Sequence, residues 1–499
     1  MAPCFDYVVL GGGIVGSAIA DGLSGKGFSV ALVERGAEPF DPQLQAKPII
    51  ECPRRVHLGS GKARNHVLGG NGQFWGGGLI RPPSTRLQEC LGLPANADQE
   101  AVSLDSNFAN VERLLNICCP PARAPFVVDD PTVGICHLAE IMVLPSSRRN
   151  ISAARLERFL KNSQCEVVTC AETISFSQHE DGAHDRNIAA ITIKQGSSFR
   201  EIHSKSFVIA AGMIDSNLMV LKHAVELGLP SPDAALGSHL HEHLSVPVAR
   251  AVLSSRRAKD MVAPRFANGF VVGRRFEFKC NSGWGAGGFL HFAMEFDELS
   301  PYREIKQLLS LRQQQASYAT LLKAAVPLFA VAPEILKIAF ERIAKRQLYL
   351  ADRLSVSATI DFESFAHPDN RLQLLGNRAE LFWDIAEEDE ASYLELLNRS
   401  YALLNELSHK YGIQLEYLVD PSSKDEAIKY LHAAAIDAFH LGGGLQVALD
   451  GSGAVDLDLR LVGTKNVFVV SSAVLNRPGV VNPTHTLLAL ADRFVNQQQ

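Results

Sequence analysis

The sequence predicts an α/β fold, α+β overall, in which a parallel-sheet domain is interrupted by a second domain of antiparallel sheet and helices. Three observations predict it. Tyr7-Val8-Val9-Leu10 is a short apolar run that leads directly into Gly11-Gly12-Gly13-Ile14-Val15-Gly16. A second strand–glycine–helix unit lies far along the chain, at 206–227. Residues 246 to about 430 have another texture, with strand-like runs alternating with long amphipathic helices. Two such units share one sheet only if the chain leaves the first domain and later returns to it.

The first unit explains itself residue by residue. Val8 and Val9 favour a strand. Residues 17–23 carry Ala, Ile and Leu at helical spacing, and a second apolar run, 28–33, ends on Glu34. Gly11 permits the tight turn. Gly13 lets the backbone approach a pyrophosphate, whose charge meets the amides of the helix N-terminus. Gly16 lets helix and strand pack closely. Glu34 lies about 20 residues beyond the glycines, where a carboxylate accepts hydrogen bonds from a ribose. Strand, glycine turn, helix, strand and acid in register predict dinucleotide binding.

A polar, proline-bearing stretch follows to about Arg64. The segment 69–78 holds six glycines in ten residues, which suits backbone pressed against a ligand or another segment. Residues 82–145 look irregular. A helix is expected at 153–160, strands at 165–175 and 189–195, then the buried strand 206–212 and the helix 216–227. In the second domain, 247–253, 288–295 and 354–362 read as strands. Residues 308–348 read as one or two helices. Their apolar side chains either cover a site, bind a bilayer surface or, most simply, pack on the domain's own sheet. The expected division is 1–80, 152–245 and 430–499 for the first domain, and 81–151 and 246–429 for the second.

Composition bounds the function. At 499 residues two domains are expected. With 46% hydrophobic and 20% charged residues, the chain has the make-up of an ordinary globular protein. A net charge of −6 argues against nucleic acid as a partner. Nine Cys without C-x-x-C or zinc spacing fit reduced thiols, and no metal site is expected. The first apolar run is the glycine-turn strand itself, so no signal peptide is expected. The most apolar stretch, 321–344, is interrupted by Lys323, Pro327, Pro333, Glu334 and Lys337, so no transmembrane segment is expected. A cytoplasmic location follows as the expectation.

The last sixty residues narrow the family. They contain His440-Leu441-Gly442-Gly443-Gly444, Gly453-Ala454-Val455-Asp456, Arg460-Leu461-Val462-Gly463, Asn466-Val467-Phe468-Val469-Val470-Ser471-Ser472 and Asn482-Pro483-Thr484-His485-Thr486. This order resembles the glucose–methanol–choline (GMC) flavoprotein oxidoreductases. The resemblance extends to the N-terminal fingerprint, the 69–78 cluster, Ala210-Ala211-Gly212, the stretch 236–244 and Asn370-Arg371-Leu372. Little of 85–150 or 255–350 contributes.

That resemblance implies a discontinuous Rossmann-like FAD-binding domain with an inserted substrate domain. It implies a flavoenzyme that oxidises an alcohol group, on a sugar, polyol or glycosylated metabolite. His440 matches the catalytic base and Asn482 the second catalytic position, with His485, close by, a rival for it. A neutral imidazole takes the hydroxyl proton as hydride leaves for flavin N5. An asparagine amide holds the substrate oxygen. Read without the resemblance, His440 is more simply a hydrogen-bonded structural histidine beside a turn, and Asn482 a helix cap, a job compatible with the other.

FAD is expected against Gly11, Gly13, Gly16, Glu34, Arg35, Gly70, Asn71, Gly72, Phe74, Trp75, Ala211, Gly212, Ser471, Ser472, Asn482, Pro483 and Thr484. Phe74 occupies the position at which some relatives carry a flavin-linking histidine, so the FAD is expected to be non-covalent. The electron acceptor is left open among oxygen, a quinone and an electron-transfer protein. A lyase that retains FAD and an NAD(P)-dependent reductase remain as alternatives. His239, His241 and His243 alternate, and are expected in a flavin-proximal loop rather than around a metal.

Overall fold

The computed structural model describes residues 4–37, 50–82, 84, 86–93, 102–117, 123–126, 133, 136–145, 148–179, 186–229, 236–278, 287–294, 302–313, 317–351, 354–376, 378–447, 453–477 and 479–499. The strand Cys4–Leu10 lies inside a mainly parallel sheet. Val8, Val9 and Leu10 are buried, as a strand covered on both faces requires. On one side it pairs with Val30–Val33, from Tyr7 opposite Val30 to Leu10 opposite Val33. On the other it pairs with the long strand Ser198–Ile209. Val467–Val469 then pairs in parallel with Phe207 to Ile209, so the C-terminal chain does return to the first sheet.

Two strands differ from expectation. The stretch 165–175 is not one strand. Cys165–Val168 pairs in parallel with Val30–Val33, while Ala171–Gln178 pairs antiparallel with Ile188–Gln195. The break falls at Cys170, whose φ of +54° turns the chain. The expected strand 206–212 is the C-terminal end of a 12-residue strand whose first half pairs antiparallel with Ile188–Gln195.

The helix Ile14–Gly25 covers this sheet and packs on the terminal helix Pro483–Gln497. A Cβ on Gly22 would stand 3.0 Å from the Val495 methyls, so the two helices touch backbone to side chain. One on Gly16 would stand 1.8 Å from the Gly11 carbonyl. Gly16 therefore serves helix–strand packing, as its motif position requires.

The second sheet is antiparallel. Gln414–Tyr417, His243–Leu253, Leu354–Glu363, Gly288–Ala293, Phe270–Phe278, Cys136–Val143 and Gly78–Leu79 succeed one another across it. The helix Glu387–Tyr411 contributes Leu396, Leu397, Leu403, Leu404 and Leu407 to its core and ends at Gly412, φ +72°. Residue 295, the expected end of the strand 288–295, lies outside the described residues. The segment 81–151 is shared between the cores. Leu87, Leu91, Leu104 and Phe108 pack into the first, whereas Cys136 belongs to the second.

The stretch 302–348 forms three helices, Tyr302–Gln313, Tyr318–Ala330 and Ala332–Ala344. Packing on the domain's own sheet was the simplest expectation for it. It does not hold for the second and third helices, neither of which contains a buried residue.

Candidate active site

The carboxyl ends of the parallel strands open into a cavity of about 930 Å³, at the upper end of the range for small-molecule sites. Gly11, Gly13, Glu34, Arg35, Gly70, Asn71, Phe74, Trp75, Ala211, Gly212, Ser471, Ser472, Asn482, Pro483 and Thr484 line it, together with His440. Gly16 and Gly72 do not. A Cβ on Gly72 would lie 2.7 Å from Ile14, so it too is a packing glycine.

A dinucleotide fits this wall. Gly13 and Gly70 run side by side, and a Cβ on Gly70 would stand 2.8 Å from the Gly13 Cα. A Cβ on Gly13 itself meets nothing nearer than Gly70 Cα, at 4.0 Å, so the space beside it belongs to the cavity. The helix that begins at Ile14 has no side-chain cap, which leaves its first amides for an anion. Glu34 is anchored by accepting the Gly12 and Gly36 N–H groups, both at 2.7 Å. Burial pushes its carboxyl above the ordinary carboxylate value.

A chain of hydrogen bonds sets the tautomer of His440. His243 Nε2 lies 2.7 Å from the Gly479 carbonyl, which only accepts, so this nitrogen carries the proton. In the neutral ring His243 Nδ1 is then an acceptor. It stands 3.0 Å from His440 Nδ1, which must donate to it. His440 Nε2 is left unprotonated, 3.1 Å from the Asn482 amide nitrogen, which donates to it. Burial lowers the His440 pKa below its usual value, with Glu242 and Asp361 opposing, and lowers that of His243 further. Both rings are therefore neutral near pH 7, as the tautomer chain requires.

Behind the pair, Glu242 Oε1 accepts the backbone N–H groups of His440 (2.6 Å) and His243 (2.8 Å). Its Oε2 lies 3.2 Å from His57 Nε2. His57 Nδ1 accepts the Ser60 N–H, so its proton sits on Nε2 and points at Glu242. Asp437, whose carboxylate takes the Leu58 and Gly59 amides, closes the cluster. His57, Glu242 and Asp437 lie close enough together to hold an ion. Both His57 nitrogens are committed, however, and the three side chains satisfy one another and the backbone. A second buried group, Asp215, receives Arg64 through two nitrogens, at 2.9 and 2.5 Å, with His66 at 3.2 Å. Against the opposing effect of burial, the hydrogen bonds from His66 and Arg64 hold its carboxyl well below the usual range, and all three residues line the cavity.

His440 and Asn482 are therefore brought together, and His485 is not. Its ring is 2% exposed, packs edge-on to Phe108, and has Nε2 3.6 Å from Glu112, outside the cavity lining. Asn482 precedes the helix, whose cavity-lining residues are Pro483, Thr484 and Leu487, and His485 falls on the other side of it. Asn482 sits at the helix start but makes no capping hydrogen bond, because its amide is turned to His440. The three alternating histidines diverge: His241 Nε2 bonds the Leu475 carbonyl, His239 has φ +56°, and only His243 reaches the site. Glu242, His57 and the Arg64–Asp215–His66 group were missed. Only Glu242 and His243 carried a signal, by lying within the family-like stretch 236–244.

Residues 355–491 match the family model described as GMC oxidoreductase. No curated protein matches the chain. Among solved structures, pyridoxine 4-oxidase from Mesorbium loti is similar with a TM-score of 0.57 and 14% identity, covering 99% of both chains. Formate oxidase is similar with a TM-score of 0.57 and 13% identity, covering 99% of this chain and 97% of that one. At such identities the two structures speak for the fold alone, a Rossmann-like domain with a substrate domain. The family match is confined to 355–491, so it makes the C-terminal part of the chain similar to the GMC oxidoreductases.

Proposed function

We propose that this protein holds FAD non-covalently in the cavity and oxidises an alcohol group of a small polar molecule, His440 acting as base. The observation that carries this reading is the hydrogen-bond chain from Gly479 through His243, which leaves the lone pair of His440 Nε2 beside Asn482 at the cavity wall. Bound flavin supplies a two-electron acceptor for the hydride. His440 takes the hydroxyl proton on Nε2 while its Nδ1–H stays on His243. Asn482 turns its amide to the substrate oxygen and steadies the charge that builds there. Gly11, Gly13, Glu34, Gly70 and the first amides of the helix at Ile14 hold the dinucleotide, and Arg35 lies beside Glu34. On this reading 1–80, 152–245 and 430–499 form the flavin domain and the remainder the substrate domain. A panel of primary and secondary alcohols, mixed anaerobically with purified protein, tests it. Bleaching of the flavin band by at least one is expected, and a protein isolated without flavin overturns the proposal.

Phe74 has no nucleophilic atom and cannot form the histidyl link. Acid precipitation of the holoprotein should therefore leave the yellow colour in the supernatant, and colour retained in the pellet contradicts this.

The pH dependence follows from burial. His440 must be neutral to act, and its pKa is held below the ordinary 6.5. The rate of reduction should fall as pH drops, with a midpoint below 6.5, and be flat above it until another group titrates. Rapid mixing at saturating substrate across the acid range reads this. A midpoint above 6.5 removes His440 from the role.

A further inference from the structure

Two consecutive helices keep their apolar side chains in the open. On Tyr318–Ala330, Tyr318, Leu322, Val326 and Phe329 recur at helical spacing and are 63–86% exposed. On Ala332–Ala344, Leu336, Phe340 and Ile343 do the same at 60–79%. A single exposed leucine needs no explanation, but an apolar stripe on each of two adjoining helices does. The stripes do not roof the active site, since none of the described cavity-lining residues comes from 302–348.

Charge and shape say what covers them. Between 317 and 346, Lys323, Lys337, Arg342, Lys345 and Arg346 stand against only Glu334 and Glu341. Lys345 pairs with Glu341. This local positive excess sits on a chain of net charge −6, so it is a property of the segment and not of the whole protein. Anionic lipid headgroups complement such a segment, and lysine and arginine reach them while apolar neighbours enter the acyl region. The two helices together have the length and hydropathy of a membrane span, but they bend by 85° at their junction. A straight crossing needs about 20 continuous residues, whereas a helix lying in the interface needs only one apolar face.

We propose that Tyr318–Ala330 and Ala332–Ala344 form a monotopic anchor that docks the protein on the surface of an anionic phospholipid bilayer. Leu322, Val326, Phe329, Leu336, Phe340 and Ile343 enter the lipid, and Lys323 and Lys337 meet headgroups.

The test is co-sedimentation of the full-length holoprotein with vesicles of phosphatidylcholine, with and without about 30% phosphatidylglycerol. Binding to the anionic vesicles, weakened by salt, is expected. The triple variant Leu322→Ser, Phe329→Ser, Phe340→Ser changes only exposed positions, so it should keep its visible spectrum and melting temperature. It should lose at least about 10-fold in vesicle affinity. Lys323→Glu with Lys337→Glu should erase the preference for anionic vesicles. Absence of binding by the wild-type protein, or undiminished binding by the triple variant, overturns the proposal. So does a wild-type dimer in sedimentation that the triple variant converts to monomer, because a second copy would then be what covers the stripes.

Discussion

Replacing His440 with alanine should slow anaerobic flavin reduction by about 100- to 10,000-fold, the usual consequence of removing a general base. The cofactor should remain bound, because His440 is one of many residues that line the cavity and the glycines and Glu34 are untouched. The effect is large because, among the described residues, the other imidazoles that line the cavity, those of His57, His66 and His223, are each engaged by a carboxylate. His243 Nε2 is tied to the Gly479 carbonyl, and with His440 gone its Nδ1 faces a gap. His485 is buried against Phe108. Asn482→Ala should cost less, since it removes orientation and charge stabilisation but leaves the base. Rapid mixing with substrate, followed at the flavin absorbance, ranks the variants without knowledge of the natural acceptor. If Asn482→Ala is the more damaging of the two, the base is misassigned.

Replacing Gly13 with valine should expel the cofactor from a protein that still folds. The two effects separate because the neighbourhood is asymmetric. Gly13 has φ −74° and ψ −162°, extended backbone that any residue adopts. A Cβ there meets only Gly70 Cα, at 4.0 Å, an ordinary van der Waals contact, so the fold should tolerate it. The added methyls then occupy the space in which a pyrophosphate would lie against the backbone. Overpacking of this kind costs about 1–3 kcal/mol, or roughly 10- to 100-fold in affinity. Gly11→Val is the contrasting control. Gly11 has φ +108°, and its Cβ would lie 2.7 Å from the Ala210 carbonyl, so that variant should lose thermal stability as well. Absorbance per mole of protein and the melting temperature of the stripped protein distinguish the two. A yellow Gly13→Val protein with unchanged affinity would falsify the dinucleotide cradle.

What could be read beforehand was what repeats locally. The glycine turn, its helix and Glu34 are contiguous, so their spacing is visible and the structure keeps it. His440 and Asn482 were legible only through the motif order of the last sixty residues, since nothing near either one states that they meet. The pairing of Glu242 with His57 was not legible, because it joins positions 185 residues apart. The same holds for Arg64 and Asp215, which meet across the cavity from a loop and a helix. The helices after Tyr318 misled for the opposite reason. Their apolar periodicity is real, but periodicity names a face without naming what lies against it.

If His440 is the base proposed above, the bond between His243 and the Gly479 carbonyl makes it a room with one door. A proton taken up on His440 Nε2 can be shared inward as far as His243, but a peptide carbonyl does not accept it, and there the wire ends. The imidazolium that forms is sustained in place by the carboxylate of Glu242, whose oxygen holds the His440 amide. On that reading the proton leaves again from His440 Nε2, on the Asn482 side, where the inward chain does not reach.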